Sequence, residues 1–284
     1  MKTLKKARIA AAVLALAAGA AQAALVTSWT VGNTLTFDPA TVTPGGNVAP
    51  NPVLSNSNQS LRWGSPATAN GSSGIDIINP AGTVTANLNT LAPTTTVTHL
   101  NWPIFASTPS NSLSSVDILA TLNLTPLTPS GAALPTFNTS YGIKFLETPN
   151  AGTGGFCADG AAVGSGGVNI NGCADIFVLS SNALNLSFFY DTDGAGGDPA
   201  LEYFVSFFEL TSGFNFLSPA ACLAVTGSSA PCLGFETAEN QATTVQFGLM
   251  ISAQPFSVPE PGSVALLGLG LAALGWAGRR RAQK

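Results

Sequence analysis

The chain has 284 residues, 10 Lys+Arg against 14 Asp+Glu and a net charge of −4; only 8% of its residues are charged, against about 25% in an average globular domain. A hydrophobic fraction of 45% excludes disorder, which pairs low hydrophobicity with high net charge. Scarce Lys and Glu exclude a coiled coil, glycine is too sparse for collagen, and without a basic surface nucleic-acid binding is excluded.

The charge is unevenly placed. Lys2, Lys5, Lys6 and Arg8 open the chain, and Arg279, Arg280, Arg281 and Lys284 close it. Between Ala24 and Val258 only Arg62 and Lys144 stand against 13 acids, a net −11. An acidic body therefore lies between two basic ends.

Residues 1–23 read as a secretory signal peptide. Met1 to Arg8 is a positive n-region, Ile9 to Ala20 an apolar h-region too short to span a membrane, and Ala21-Gln22-Ala23 a small-x-small cleavage pattern. Cleavage between Ala23 and Ala24 is expected, with the secretion translocon and signal peptidase as partners.

The body, residues 24–253, alternates short β-type runs with turn-rich connectors. Trp29, Val31, Leu35 and Phe37 share one face, as do Val84, Ala86 and Leu88. So do Val116, Ile118, Ala120, Leu122 and Leu124, and later Val245, Phe247, Leu249 and Ile251. A period of two marks half-buried strands. Tyr141 to Glu147, Asp175 to Leu179, Leu184 to Tyr190 and Leu201 to Leu210 add strands. The last three are apolar on both faces and are expected at the centre of a sheet. Pro44 to Asn51, Pro126 to Pro135 and Ala151 to Gly155 are Gly/Pro-rich connectors. No body segment has a helical period. The expectation is a single all-β domain, a sandwich or jelly-roll-like fold, between an N-terminal signal helix and a C-terminal sorting helix.

His99 is the one histidine, in Thr98-His99-Leu100-Asn101. On a strand His99 and Asn101 share a face, and Pro103 ends or edges the strand. The pair reads as a hydrogen-bonded fixture of a strand end, or as part of a polar binding site. Four cysteines in an exported chain favour disulfides and allow three pairings. Cys157–Cys173 and Cys222–Cys232 are favoured because each closes a short loop poor in core-forming residues. Zinc is disfavoured, with no CxxC and the histidine far away in sequence.

Asp191, Asp193, Asp198 and Glu202 partly echo a calcium loop, but a hairpin turn explains the Asp/Gly cluster better. No cofactor is therefore expected, calcium being the one open alternative. Catalytic signatures are absent: no G-x-S-x-G, H-E-x-x-H, P-loop or dinucleotide fingerprint. Glu147, Glu202 and Glu209 are glycosidase candidates by residue type alone, and the expectation is no enzyme. Trp63 and Trp102, near turns, could stack on sugar rings.

Residues 254–258 read as a linker. Pro259-Glu260-Pro261 follows, then an uncharged run from Gly262 to Gly278, then Arg279-Arg280-Arg281. At about 1.5 Å per residue the run is just long enough for a short span, and its basic flank keeps the tail cytoplasmic. These three parts in order resemble the PEP-CTERM sorting domain over residues 259–284. The resemblance implies a Gram-negative, exopolysaccharide-making host, an exosortase partner, transient inner-membrane association and delivery to the cell surface or matrix.

Thr98-His99-Leu100-Asn101 also resembles the motif that gives the THxN family of PEP-CTERM proteins its name. Ile143 to Asn150, Cys173 to Leu179, Tyr203 to Phe208 and Cys232 to Glu236 are similar to that family as well. The family carries no assigned activity. The resemblance implies a secreted or surface-destined protein of unknown function. The sorting tail, the missing catalytic motifs and the low-charge body favour a structural or interaction role in the exopolysaccharide layer, with exopolysaccharide a candidate partner, ahead of carbohydrate binding and then of a polysaccharide-active enzyme.

Overall fold

A computed structural model describes residues 24–46, 51–105, 112–179, 185–192, 200–211 and 214–256. The expected signal peptide through Ala23, the motif Pro259, Glu260 and Pro261, and Arg279 to Arg281 lie outside the described residues. Among those described, fifteen strands and one α-helix form.

Two antiparallel sheets carry the chain. The first has the order β13 (Asn215–Phe216), β14 (Leu233–Thr237), β10 (Asp175–Leu179), β9 (Phe137–Leu146), β8 (Leu113–Thr128), β1 (Ser28–Phe37) and β6 (Val84–Asn87), with β2 (Thr43–Pro44) also on β8. The second runs β11 (Leu186–Tyr190), β12 (Leu201–Glu209), β15 (Gln241–Ser252), β7 (Ala92–Asn101), β5 (Ser73–Ile78), β4 (Ser60–Trp63) and β3 (Val53–Ser55). Most neighbours are distant in sequence. The alternation seen in the sequence becomes burial: in β1, Trp29, Val31, Leu35 and Phe37 are all buried, because successive side chains leave a strand on opposite faces.

The inner faces meet in two apolar clusters. One gathers Val26, Trp29, Val31, Leu124, Tyr203 and Ile251. Trp29 sits edge-on to Phe188, Tyr190 and Tyr203 at 5.4, 5.5 and 5.2 Å, and Val26 N–H donates to the Tyr203 hydroxyl at 2.8 Å. The other gathers Phe37, Trp63, Ile75, Phe145, Phe177 and Phe235. Long strands such as β1, β8 and β15 run through both.

The helix was not legible as a period. α1 (Pro219–Thr226) is apolar almost all round, so no polar stripe marks it. Its ends are marked. The Ser218 hydroxyl accepts from Ala221 N–H at 3.0 Å, Pro219 occupies the first turn, and Gly227, at φ 76°, ends it. The helix packs Ala221 on Ile176 and Val178, the outer face of β10. That cover is why β10 is buried on both faces.

Two other expectations change. β11 is an edge strand, not a central one. Phe188 and Tyr190 turn inward onto Trp29, while Phe189 is 63% exposed. The connector expected from Pro126 begins only after Thr128. Pro126 lies inside β8 opposite Trp29, beyond the last β8–β9 pair, Leu122–Phe137. The strand has one neighbour there, so a proline is tolerated.

Both favoured cysteine pairs are bonded, Cys157–Cys173 and Cys222–Cys232. The first staples the loop after β9 to the start of β10. The second ties α1 to the entry of β14.

Candidate functional site

At one end of the second cluster an aromatic layer gives way to a polar one. Phe145, Phe177 and Phe235 lie side by side on β9, β10 and β14, with centroids 4.5 and 4.7 Å apart. A step of two residues along a strand keeps the same face. That step leads from Phe145 to Glu147, from Phe177 back to Asp175, and from Phe235 to Thr237. Each position next to an inward aromatic is thus an inward polar group. Thr237 and Asp175 are directly paired across β14 and β10.

The opposite sheet supplies Trp63, His99 and Asn101. His99 stacks on Trp63 at 5.7 Å and meets Phe177 edge-on at 4.7 Å. Its Nδ1 pairs with the Thr237 hydroxyl at 2.8 Å, and Asn101 Nδ2 donates to the Thr237 carbonyl at 2.9 Å. Thr237 Oγ1 also reaches the Asp175 carbonyl at 3.5 Å. His99 and Asn101 therefore clamp one residue of the facing sheet from two positions on one strand face. Thr98, on the other face, pairs with Thr244 at 3.0 Å.

The acids of this layer are Glu147, Asp175 and Glu239. Trp63 Nε1–H donates to Glu147 at 2.8 Å. Asp175 accepts from Thr148 N–H at 2.9 Å, and the Thr148 hydroxyl donates to the Cys173 and Ala174 carbonyls, both at 3.0 Å. Asp175 and Glu239 are 0% and 2% exposed. Burial pushes Glu147 up to about 8; the Trp63 bond opposes this and the Glu239 charge adds to it. Burial, then the Glu147 charge, raise Asp175 well above the carboxylate range. Burial raises Glu239 to about 7, with Asn150 nearby tempering the shift. Burial lowers His99 to about 3, so its imidazole is neutral. Among the described residues no ammonium or guanidinium lies within ion-pair distance of these three carboxylates, so taking up a proton is the way each is neutralised.

Three hydrogen-bonded joints run through this layer. His99 and Asn101 are tied to Thr237, Glu147 to Trp63, and Asp175 to Thr148. Sequence reasoning named Glu147, His99 and Asn101 but missed Asp175, Thr237 and Glu239. For Asp175 and Thr237 a local signal was available, an acid or hydroxyl two residues from an inward phenylalanine at a strand end; Glu239, beyond the end of β14, has none.

The remaining candidates scatter. Trp63 is 2% exposed, so it is core and not a sugar platform; it follows buried Leu61 on the inner face of β4. Trp102 is half-buried, and its carbonyl accepts from Ser73 at 2.7 Å. Glu209 accepts from Thr211 and from Phe214 N–H, holding a turn. Glu202 is exposed on β12 opposite Phe189. Asp191 is half-buried after β11; Asp193 and Asp198 lie outside the described residues. Among the described residues no three His, Cys, Asp or Glu side chains are placed to hold a metal ion, and no helix is long and apolar enough to cross a membrane.

Beside His99 the inner space opens. A cavity of about 730 Å³ lies between the sheets, walled by Ile143, Leu179, Phe207 and Phe247 among others.

The tail fixes the class. Residues 257–281 match the PEP-CTERM protein-sorting motif. The chain is thus an exported protein targeted to an exosortase and sorted through the membrane to the surface. No curated protein is significantly similar to it in sequence.

Proposed function

We propose that the mature body is a non-enzymatic structural or interaction component of the exopolysaccharide layer. On this reading it is a single β-sandwich of the THxN group. One observation carries the proposal: a surface-sorting motif is attached to a body in which His99, Asn101 and Glu147 each make a hydrogen bond that joins the two sheets. His99 and Asn101 hold Thr237, and Glu147 holds Trp63. Two disulfides suit an oxidising exterior. No resident cofactor is needed for such a role. Signal peptidase, the translocon and exosortase act on the two ends, and the tail is removed near Pro259-Glu260-Pro261.

The carbohydrate-binding alternative is weakened by the burial of Trp63, which leaves Trp102 as its aromatic contact. Deleting the gene in the native host tests the proposal. Reduced biofilm mass and cohesion are expected; unchanged biofilm, aggregation and envelope integrity would overturn it. Turnover of host polysaccharide by the purified protein would overturn the non-enzymatic part alone.

A further inference from the structure

Native interiors close-pack, with few voids larger than a water molecule. The space between these sheets departs from that rule. Along β15, Val245, Leu249 and Ile251 are buried at 2%, 0% and 0%. Phe247, on the same inward face and between them, is only half-buried. Along β12, Tyr203 and Val205 are closed and Phe207 is not. Ile143 and Leu179 complete the pattern on β9 and β10. All four half-buried residues line one cavity of about 730 Å³. This is within the ~300–1,000 Å³ of small-molecule sites and has room for roughly twenty waters at ~30 Å³ each.

The walls are almost wholly apolar, and an apolar cavity takes apolar guests in preference to water. Exposed Phe216, Leu233 and Phe256 also line it, which places its mouth beside β13 and the end of β15. No Lys or Arg lines it, and the one carboxylate there, Glu209, stands on a body of net charge −11. An anionic headgroup would find no partner. Glu209 is already engaged by Thr211 and Phe214, so a cationic headgroup would find little either. Tyr141, His99 and Asn33 line the cavity too. His99 Nε2 and Asn33 Oδ1 are buried polar atoms without a hydrogen-bond partner, while the Tyr141 hydroxyl has the Thr139 side chain beside it.

We propose that this cavity is a binding site for an uncharged, predominantly apolar molecule of the lipid-alcohol class, entering past Phe216 and Phe256. The site is independent of the proposed matrix role.

The test uses the full chain as exported by its host, purified without detergent. N-phenyl-1-naphthylamine, a neutral fluorophore, is titrated in, then displaced with 1-dodecanol, dodecanoate or dodecyltrimethylammonium. Saturable binding at one site is expected, with 1-dodecanol displacing the probe at concentrations at least about tenfold below either ion. Ile143→Trp, which fills the cavity from β9, is expected to weaken probe binding at least about tenfold. If near-ultraviolet circular dichroism shows that variant unfolded, Leu179→Phe decides in its place. Absence of saturable binding overturns the proposal. So does equal binding by the folded filling variant, which would assign the probe to another surface. Displacement by either ion as effective as by the alcohol overturns the ligand class.

Discussion

The two clusters obey the same alternating code and end up as different materials. Around Trp29, three aromatic rings meet one indole edge-on, the Tyr203 hydroxyl is satisfied by Val26, and Val31, Leu249 and Ile251 beside them are fully buried. Around Phe177 the same code builds a ring layer, a polar layer beyond it and a cavity beside it. The difference lies in what occupies the inward positions. Where the inward residues are almost all apolar and interlock, the residues at the centre are fully buried. Where carboxylates, a histidine and an asparagine take inward positions, the sheets are joined by named hydrogen bonds. Cohesion around Trp29 is spread over area; around Thr237 it is concentrated in a few atoms.

Substitutions can break that comparison at both ends. Trp29→Ala removes the centre of the closed cluster and is expected to cost about 3–5 kcal/mol, read by chemical denaturation. A cost below about 1 kcal/mol would mean the closed cluster is as loose as the other. Replacing Cys157 and Cys173 together by Ala releases a loop of 16 residues, worth about 3 kcal/mol in the chain-entropy account. Thr237→Val keeps the shape and deletes the hydroxyl that pairs with His99. Leaving that buried nitrogen unpaired is expected to cost about 1–3 kcal/mol. If the concentrated joint is real, Asn101→Ala after Thr237→Val will cost less than it does alone. Strict additivity would argue against a clamp.

The strands of both clusters were legible because a half-buried strand writes its period into the sequence. The shared face of His99 and Asn101 was legible for the same reason. Trp63 was misplaced because a nearby turn suggested exposure, whereas parity with Leu61 already put it inside. The helix escaped because its outer face is apolar too, although Ser218, Pro219 and Gly227 announced its ends. The acid layer was the least accessible. Glu147, Asp175 and Glu239 are far apart in the chain and meet only through the β9–β10–β14 register, which a single sequence does not state. The cavity leaves no mark at all, since its walls are ordinary core residues; it is a property of how far apart the sheets stand.

Acidity sharpens the comparison further. Glu147, Glu239 and Asp175 hold their protons more tightly folded than unfolded, so the native state binds more protons and stability falls as pH rises. The contribution of Glu147 and Glu239 is complete below the ordinary glutamate value of 4.5 and is lost as pH climbs through about 7 and 8. His99 works in the opposite sense. Its pKa falls from 6.5 to about 3 on folding, so it adds stability as pH rises towards 6.5 and nothing further above that. The two effects oppose each other in mildly acidic solution, and the acids act alone above neutrality. The melting temperature is expected to fall from pH 6.5 to pH 8.5, and Glu147→Gln is expected to flatten that fall. A melting temperature that rises over this window would show that the layer is neutralised by something other than protons.

The smallest effect is the most discriminating. Leu249 and Phe247 are two residues apart on one face of β15, the first fully buried and the second half-open to the cavity. In an ordinary core the larger ring would be the costlier loss. Here Leu249→Ala opens a new void among the closed residues around Tyr203 and is expected to cost about 2–5 kcal/mol. Phe247→Leu enlarges a void already present, and side-chain atoms facing empty space have few contacts to lose. Its expected cost is below about 1 kcal/mol. An apolar guest narrows the gap: once the cavity is filled, Phe247 gains contacts of the kind Leu249 already has. The cost of Phe247→Leu is therefore expected to rise in saturating 1-dodecanol while that of Leu249→Ala stays constant. Equal shifts in both would place the alcohol elsewhere on the protein.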